Sequence, residues 1–269
     1  MMAYYEAALR DWTIPVESIT AQTRFGPAHI LVSGPQDAPP LLLLHGLGDT
    51  ALLWMTLFGS LGSRYRLFAP DIPGQPGKSA PVRLPYTGPA YPEWLQDVLD
   101  ALDVARTDVV GLSLGSYLAL RLGAAAPQRV RRLGLLSPAG MAPVRLSALL
   151  QLLPVGLFPS RALCRWFMER YGAAVTDQAL ERASLMSKHY IPAPPPPILS
   201  AGELSRVSAP VSLLIGEHEI FFNVEAVIRR ARQYLPNVAA ADIVPGAGHN
   251  LVREKPELIE SFVLSTFNS

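Results

Sequence analysis

Short apolar runs that each end at a polar or glycine-containing loop recur along the chain. They are PPLLLLHG, RYRLFAPD, RTDVVGLS, VRRLGLLS, APVSLLIGE and AADIVPGAG. Helical patterns lie between them, with apolar residues at steps of three and four at Leu95, Val98, Leu99 and Leu102, and again at Leu258, Ile259, Phe262 and Val263 behind Pro256. Strands that alternate with helices form a mostly parallel sheet covered on both faces, so the pattern predicts an α/β fold.

The region before PPLLLLHG predicts a β-hairpin. The runs ESITAQTRF and AHILVSG are rich in residues that favour strands, and they flank Gly26 and Pro27. Because glycine and proline mark turns between such runs, we expect the hairpin to turn at these two residues. PPLLLLHG is then the third strand and APVSLLIGE the seventh.

The alternation stops between about Ala139 and Val207. Leu163, Trp166, Phe167 and Tyr171 form one amphipathic stripe, and IPAPPPPIL then favours an extended return. We interpret 139–207 as a helical cap inserted after the sixth strand into a core domain of 1–138 and 208–269. The alternative is an ordinary helical excursion that completes the core.

Charge and hydropathy narrow the classes of partner. Lys and Arg total 23 against 22 Asp and Glu, so no overall field favours nucleic acid. Apolar residues make up 49% of the chain, but the longest apolar candidate, LSALLQLLPVGLFP, is too short to span a membrane and is interrupted by Gln151 and two prolines. We expect a small hydrophobic partner, no integral membrane segment and, with the single Cys164 and no signal-peptide pattern, a cytoplasmic location. The oligomeric state is left open.

Ser113 stands between two glycines in DVVGLSLGSYLAL, where a strand pattern becomes a helix pattern. A nucleophile on a sharp strand-to-helix turn needs small residues two before and two after it, and Gly111 and Gly115 supply them. The following amide, that of Leu114, then lies at a helix N-terminus, where negative charge is stabilised. The spacing indicates a nucleophilic serine.

A serine nucleophile needs a base and an acid. VPGAGHNLV places His249 in a loop after the last predicted strand, and LLIGEHEIFF places Glu217 and Glu219 just after the preceding one. An acid at the end of the sixth strand is excluded, because the segment that follows this strand contains no Asp or Glu. The chain order serine, acid, histidine is the one that this strand-turn-helix architecture uses.

Four motifs in this order carry a family resemblance: LLLLHGLGDT, DIPGQPGKS, GLSLGS and GAGHN. The chain resembles a serine hydrolase of the α/β-hydrolase fold, carboxylesterase-like with a helical cap, from about residue 17 to the C-terminus. The resemblance implies a Leu114 amide and a Leu47 amide as oxyanion donors, with His45 and Gly46 shaping the loop. Family members usually carry Asp three residues after the glycine that closes the seventh strand; here Glu219 holds that position, which favours it over Glu217.

Other site types are not favoured. GQPGKS lacks the first glycine of a phosphate-binding loop, since Ile72 holds that position, and Asp71 is better interpreted as a side chain that fastens the loop. No pair of histidines has the spacing of a zinc site, so we expect neither a metal nor a cofactor. Trp54, Phe158, Trp166 and Phe167 are the candidates for an apolar pocket beneath the cap.

These observations favour an esterase that forms an acyl-enzyme through Ser113, His249 and Glu219 and prefers a hydrophobic acyl or alcohol group. Within the resembled fold, carbon–carbon bond hydrolases, lactonases and perhydrolases use the same triad and stay open as alternatives. Epoxide and haloalkane hydrolases would carry Asp in place of Ser113. The alternative of another class is a hydrophobic ligand-binding or receptor protein with little turnover.

Overall fold

The computed structural model describes residues 2–158, 160–170, 175–191 and 193–267. These residues form one eight-stranded sheet in the order β1-β2-β4-β3-β5-β6-β7-β8. The strands are β1 (Glu17–Thr23), β2 (Gly26–Ser33), β3 (Pro40–Leu44), β4 (Arg66–Pro70), β5 (Thr107–Leu112), β6 (Val130–Leu136), β7 (Val211–Gly216) and β8 (Val238–Val244). From β4 to β8 every neighbouring pair is parallel, and β2 runs antiparallel to both β1 and β4. The predicted α/β fold with a mostly parallel sheet is confirmed.

Helices cover both faces of this sheet. The helices of the described residues are α1 (Met2–Arg10), α2 (Met55–Leu61), α3 (Ala90–Ala101), α4 (Leu114–Ala125), α5 (Leu146–Leu157), α6 (Arg161–Arg170), α7 (Asp177–His189), α8 (Ala201–Leu204), α9 (Val224–Tyr234), α10 (Leu251–Glu254) and α11 (Pro256–Phe267). The two predicted amphipathic helices are α3, with Leu102 as its C-terminal cap, and α11.

Strand β3 is continuously apolar because it faces two cores. In β3, Leu42 and Leu44 pack into a core with α3, α4 and α9, whereas Leu41 and Leu43 pack into a second core with α2 and α11. Alternate side chains of a strand point to opposite faces, so a strand between two helical layers needs an apolar residue at every position. This requirement accounts for the run LLLL.

The hairpin turn lies two residues earlier than predicted. Thr23 pairs with Gly26, so Arg24 and Phe25 form the turn and Gly26 and Pro27 belong to β2. The Thr23 hydroxyl donates to the Gly26 carbonyl and accepts from the Phe25 amide, which closes the turn locally. Gly26 has a φ of +102°, which glycine adopts without a steric penalty. The glycine–proline pair therefore ends the turn and does not form it.

Four described helices lie between β6 and β7, where the cap is predicted: the short α8 just before β7 and, ahead of it, α5, α6 and α7. Residues 193–200 follow α7 without helix or strand, as IPAPPPPIL leads one to expect. Tyr171, predicted on the apolar stripe, lies outside the described residues. The boundaries 139–207 of a separate cap domain stay a prediction. In the described ranges, no helix is long and apolar enough to cross a membrane.

Candidate active site

Ser113 stands at a strained turn between β5 and α4. Its backbone has φ +53° and ψ −107°, a combination that residues with side chains rarely adopt. A Cβ atom on Gly111 would lie 2.3 Å from the Gly115 carbonyl carbon, and one on Gly115 would lie 2.0 Å from the Leu44 carbonyl oxygen. The two glycines are therefore required for α4 to approach β5 and β3. The Ser113 amide donates to the Leu136 carbonyl at 2.8 Å, which anchors the turn to the neighbouring strand.

His249 and Glu219 form a hydrogen-bonded pair beside this turn. His249 Nδ1 lies 2.7 Å from Glu219 Oε2, and the Phe221 amide donates to Glu219 Oε1 at 2.8 Å. A proton held on Nδ1 by the carboxylate leaves Nε2 free to accept one. Burial raises the pKa of Glu219, but the neighbouring His249 and the two hydrogen bonds outweigh it and hold the pKa below its ordinary value. Glu219 is therefore ionised at neutral pH.

Glu217 does not reach His249. Its side chain is exposed and accepts a hydrogen bond from the Gly246 amide at 2.8 Å. The chain turns after β7, with the Glu219 amide donating to the Gly216 carbonyl at 3.2 Å, and this turn brings the third residue after Gly216 into the buried site. Of the two carboxylates that the sequence offers as the acid, Glu219 is the one in contact with the imidazole of His249.

The loop that carries His249 is fixed by Glu254, a residue that the sequence did not single out. The Glu254 carboxylate accepts from the amides of Gly248 and Asn250, on either side of the histidine. Phe221 packs edge-on against the imidazole with ring centroids 4.6 Å apart. The sequence contains a signal for Glu254, because a carboxylate in the first turn of α10, just after GHN, is well placed to accept hydrogen bonds from amides at the helix N-terminus.

The loop after β3 is fixed from its buried side. His45 Nδ1 lies 2.8 Å from the Gly46 carbonyl oxygen, and the Ile72 amide donates to His45 Nε2 at 2.9 Å. Burial lowers the pKa of His45, so the ring is neutral and has no role as a charged group. The amides of Leu47 and Leu114 donate no hydrogen bond within the part of the chain that the structure describes, which leaves both able to bind an oxyanion.

Ser113, His249, Leu47 and Leu114 line one cavity of about 720 Å³. No hydrogen bond joins Ser113 to His249 among the described residues. Such bonds are often long in hydrolases without substrate. The cap supplies most of the other walls, which are largely apolar: Leu149, Leu152, Leu153, Leu157, Phe167, Met168 and Met186.

Of the four aromatic residues predicted for the pocket, Phe167 lines the cavity and the other three do not. Trp54 is fully buried in the second core, under α2 and α11. Phe158 is 70% exposed and Trp166 is 44% exposed. Consecutive residues of a helix point about 100° apart, so Trp166 cannot share the inward direction of Phe167. The expectation for Trp54, Phe158 and Trp166 is corrected accordingly.

Leucines of α5 form the mouth of the cavity. Leu149, Leu153 and Leu157 line it, and they are also 41%, 53% and 63% exposed to solvent. No charged residue occurs from Leu146 to Leu157. The cavity therefore opens between apolar side chains, which favours the entry of apolar molecules.

A second serine, histidine and carboxylate are hydrogen-bonded elsewhere in the molecule. Ser18 Oγ lies 2.6 Å from His29 Nε2, and His29 Nδ1 lies 3.0 Å from Asp71 Oδ2. Asp71 also accepts from the amides of Ala51 and Lys78, at 2.8 and 2.9 Å. None of the first three residues lines the cavity. This arrangement agrees with the prediction that Asp71 fastens the loop after β4.

Comparisons with known proteins agree with this fold. Residues 39–163 match the family model of the α/β hydrolase fold. The chain is 30% identical to the uncharacterized carboxylesterase nap of Bacillus subtilis (strain 168), over 98% of this chain and 91% of nap. It is 31% identical to the carboxylesterase YbfK of the same organism, over 97% and 91% of the two chains. The crystal structure of naproxen esterase (carboxylesterase NP) from Bacillus subtilis superposes with a TM-score of 0.89 at 28% identity, covering 99% of this chain and 96% of that one. The chain therefore belongs to the α/β-hydrolase family and is a hydrolase that acts on ester bonds, as its carboxylesterase relatives do.

Proposed function

We propose that the chain is a carboxylesterase that uses Ser113 as nucleophile, His249 as general base and acid, and Glu219 as the carboxylate that orients His249. The observation that carries the proposal is the 2.7 Å contact between His249 and Glu219 beside the cavity that holds the strained Ser113 turn. No metal or cofactor enters the mechanism.

The first half of the reaction forms an acyl-enzyme. Ser113 Oγ attacks the ester carbonyl carbon while His249 Nε2 takes the hydroxyl proton. The amides of Leu47 and Leu114 donate to the oxyanion of the tetrahedral intermediate. His249 then gives the proton to the alcohol oxygen as the carbon–oxygen bond breaks. Glu219 stabilises the imidazolium that exists between these two transfers.

The second half releases the acid. Water takes the place of the alcohol, His249 accepts its proton, and the hydroxide attacks the acyl carbon. A second tetrahedral intermediate collapses with return of the proton to Ser113. The enzyme is then ready for another ester.

The cavity supports an ester with a hydrophobic acyl or alcohol group. A volume of about 720 Å³ holds a drug-sized molecule. The charged residues in its wall, Asp49 and Arg182, lie within ion-pair distance of each other. A small apolar ester therefore suits the site better than a charged metabolite. A cytoplasmic location, inferred from the single Cys164, stays a prediction.

The experiment is labelling with a fluorophosphonate probe beside hydrolysis of p-nitrophenyl esters of increasing chain length and of a naproxen ester. We expect label on Ser113, turnover that rises from acetyl to longer acyl groups, and neither label nor turnover in Ser113→Ala. Stoichiometric ligand binding without turnover would favour the receptor alternative. Cleavage of a carbon–carbon bond faster than any ester would favour that class of hydrolase.

A further inference from the structure

The cap meets the core domain at the loop that carries the proposed oxyanion donor Leu47. A Cβ atom on Gly48, the next residue, would lie 3.2 Å from Met186 Cε and 3.5 Å from Tyr190 Cε1. Met186 belongs to α7 and Tyr190 is its C-terminal cap. The end of the third cap helix therefore packs directly on the backbone beside the donor.

Gln75 lies between these two parts of the molecule. Its Oε1 atom accepts the Gly48 amide at 2.8 Å and the Tyr190 hydroxyl at 2.7 Å, and its side chain is buried in the loop after β4. An amide oxygen has two lone pairs and binds both donors at once. The two hydrogen bonds connect the cap, the loop after β4 and the loop after β3 through one atom.

A second contact connects the cap to the loop after β3 independently of Gln75. Asp49 accepts from both Arg182 of α7, at 3.5 Å, and Arg253 of α10, at 3.0 Å. Burial raises the pKa of Asp49, but Arg253 and Arg182 outweigh it and lower the pKa to about 2. Asp49 is thus a charged partner that holds the loop and the cap together when Gln75 is changed.

We infer that Gln75 is a positioning residue that aligns the Leu47 amide for catalysis. Through the hydrogen bond from Tyr190, Gln75 also makes the position of this amide depend on the cap. On the buried side, His45 fixes Gly46; on the other side, Gln75 fixes Gly48, so the backbone is held immediately before and after Leu47. The inference rests on the proposed function, because it matters only if Leu47 binds the oxyanion. An oxyanion contact forms in the transition state, so loss of its alignment lowers kcat more than it raises KM.

The test is a double-mutant cycle with Gln75→Leu and Tyr190→Phe, measured as kcat and KM for p-nitrophenyl butyrate. Fluorophosphonate titration counts the competent sites, and Gln96→Leu on α3 is the matched control. We expect Gln75→Leu to lower kcat about 10- to 100-fold with KM changed less than about threefold, because small misalignments in an active site have effects of this size. Tyr190→Phe is expected to lower kcat by about threefold to tenfold, and to have no further effect in the Gln75→Leu background.

The outcomes separate this inference from the proposed function. If Ser113→Ala is inactive and Gln75→Leu keeps the kcat of Gln96→Leu, the positioning role is wrong and the proposed catalytic site stands. Additive effects of the two substitutions, or a rise in KM alone, would show that Tyr190 acts on substrate binding independently of Gln75 and would also overturn the inference. If Ser113→Ala keeps wild-type activity, the proposed catalytic site fails, and the inference fails with it.

Discussion

Two groups of serine, histidine and carboxylate can be compared in this molecule. In the proposed active site, Ser113 is at a strained turn with φ +53°, and Glu219 contacts His249. In the other, Ser18, His29 and Asp71 are joined by two hydrogen bonds of 2.6 and 3.0 Å. By hydrogen bonding alone the second group is the more complete, since Ser113 and His249 are not bonded among the described residues.

The surroundings of the two serines differ. Ser113 faces a cavity that also receives His249 and lies beside two amides with no partner in the described chain. Ser18 lies within β1, where it pairs with Leu31 of β2, and its side chain is exposed at the surface. The difference teaches that the three residue types do not by themselves make a catalytic site. Oxyanion donors and room for a substrate beside the nucleophile are also required.

The largest effect that distinguishes the two groups is the loss of the nucleophile. We expect Ser113→Ala to lower kcat/KM for p-nitrophenyl butyrate by about 10³-fold or more, because the acyl-enzyme can no longer form. Steady-state kinetics on protein with an unchanged circular dichroism spectrum measures the loss. A well-folded Ser113→Ala that keeps a tenth of wild-type activity would refute the assignment.

The next effect concerns the carboxylate. Glu219→Gln is expected to lower kcat about 10²- to 10⁴-fold, because a neutral amide neither fixes the Nδ1 proton nor stabilises the imidazolium. Glu217→Gln is the matched control at an exposed position two residues away, and we expect a change below about threefold. Measurement of kcat for the two variants in parallel shows which carboxylate orients His249. The reverse order of effects would move the acid to Glu217.

In the second group we expect the main effect of substitution on stability. Asp71→Asn removes a buried charge that accepts from His29 and from two amides, and should lower the free energy of unfolding by about 2 to 4 kcal/mol at pH 7. Urea denaturation of both proteins measures it. We expect kcat, per fluorophosphonate-titrated site, to fall less than about tenfold. A 10³-fold fall in kcat with stability unchanged would give this group a catalytic role.

The same variant makes a prediction about pH. Burial raises the pKa of Asp71, but the hydrogen bonds from His29 and from the two amides outweigh it and leave the pKa below its ordinary value. A carboxyl group with a lowered pKa in the folded state stabilises the protein above its unfolded-state value, about 4, and loses this contribution as pH falls further. The difference in unfolding free energy between wild type and Asp71→Asn should therefore shrink below about pH 4. A difference that is constant down to pH 3 would contradict this.

The smallest effect is expected at the second serine. Ser18→Ala removes one hydrogen bond to His29 at the surface, so we expect a loss of about 1 kcal/mol or less in stability and kcat/KM within about twofold of wild type. Fluorophosphonate labelling of this variant should match wild type. A label that depends on Ser18 in the Ser113→Ala background would mean that the second group also activates its serine.

The parts of the site that follow from local pattern were predictable. The spacing of Gly111, Ser113 and Gly115 encodes the turn, because the packing of α4 against β5 and β3 excludes a side chain at either glycine. The runs of apolar residues encode strands between two cores. These features depend on neighbours along the chain, and the sequence displays such neighbours directly.

Features that depend on direction or on distant contacts were not predictable in the same way. The choice between Glu217 and Glu219 depends on how the chain turns after Gly216, so from the sequence it rested on the family resemblance alone. Trp54, expected in the pocket beneath the cap, is buried in the second core, since an aromatic residue near the motif does not reveal whether it faces the pocket or the core. Gln75 and Tyr190 are 115 positions apart, and no local pattern joins them.

The exposed leucines at the mouth of the cavity bear on which part of a substrate determines the selectivity of the enzyme. Leu149, Leu153 and Leu157 line the cavity and are also exposed to solvent. An apolar chain that extends from Ser113 to these leucines would reach solvent there, whereas Ser113 itself is buried. We therefore expect the enzyme to discriminate by branching and bulk near the ester, and to treat successive homologues of a straight-chain series alike beyond the length that reaches the mouth.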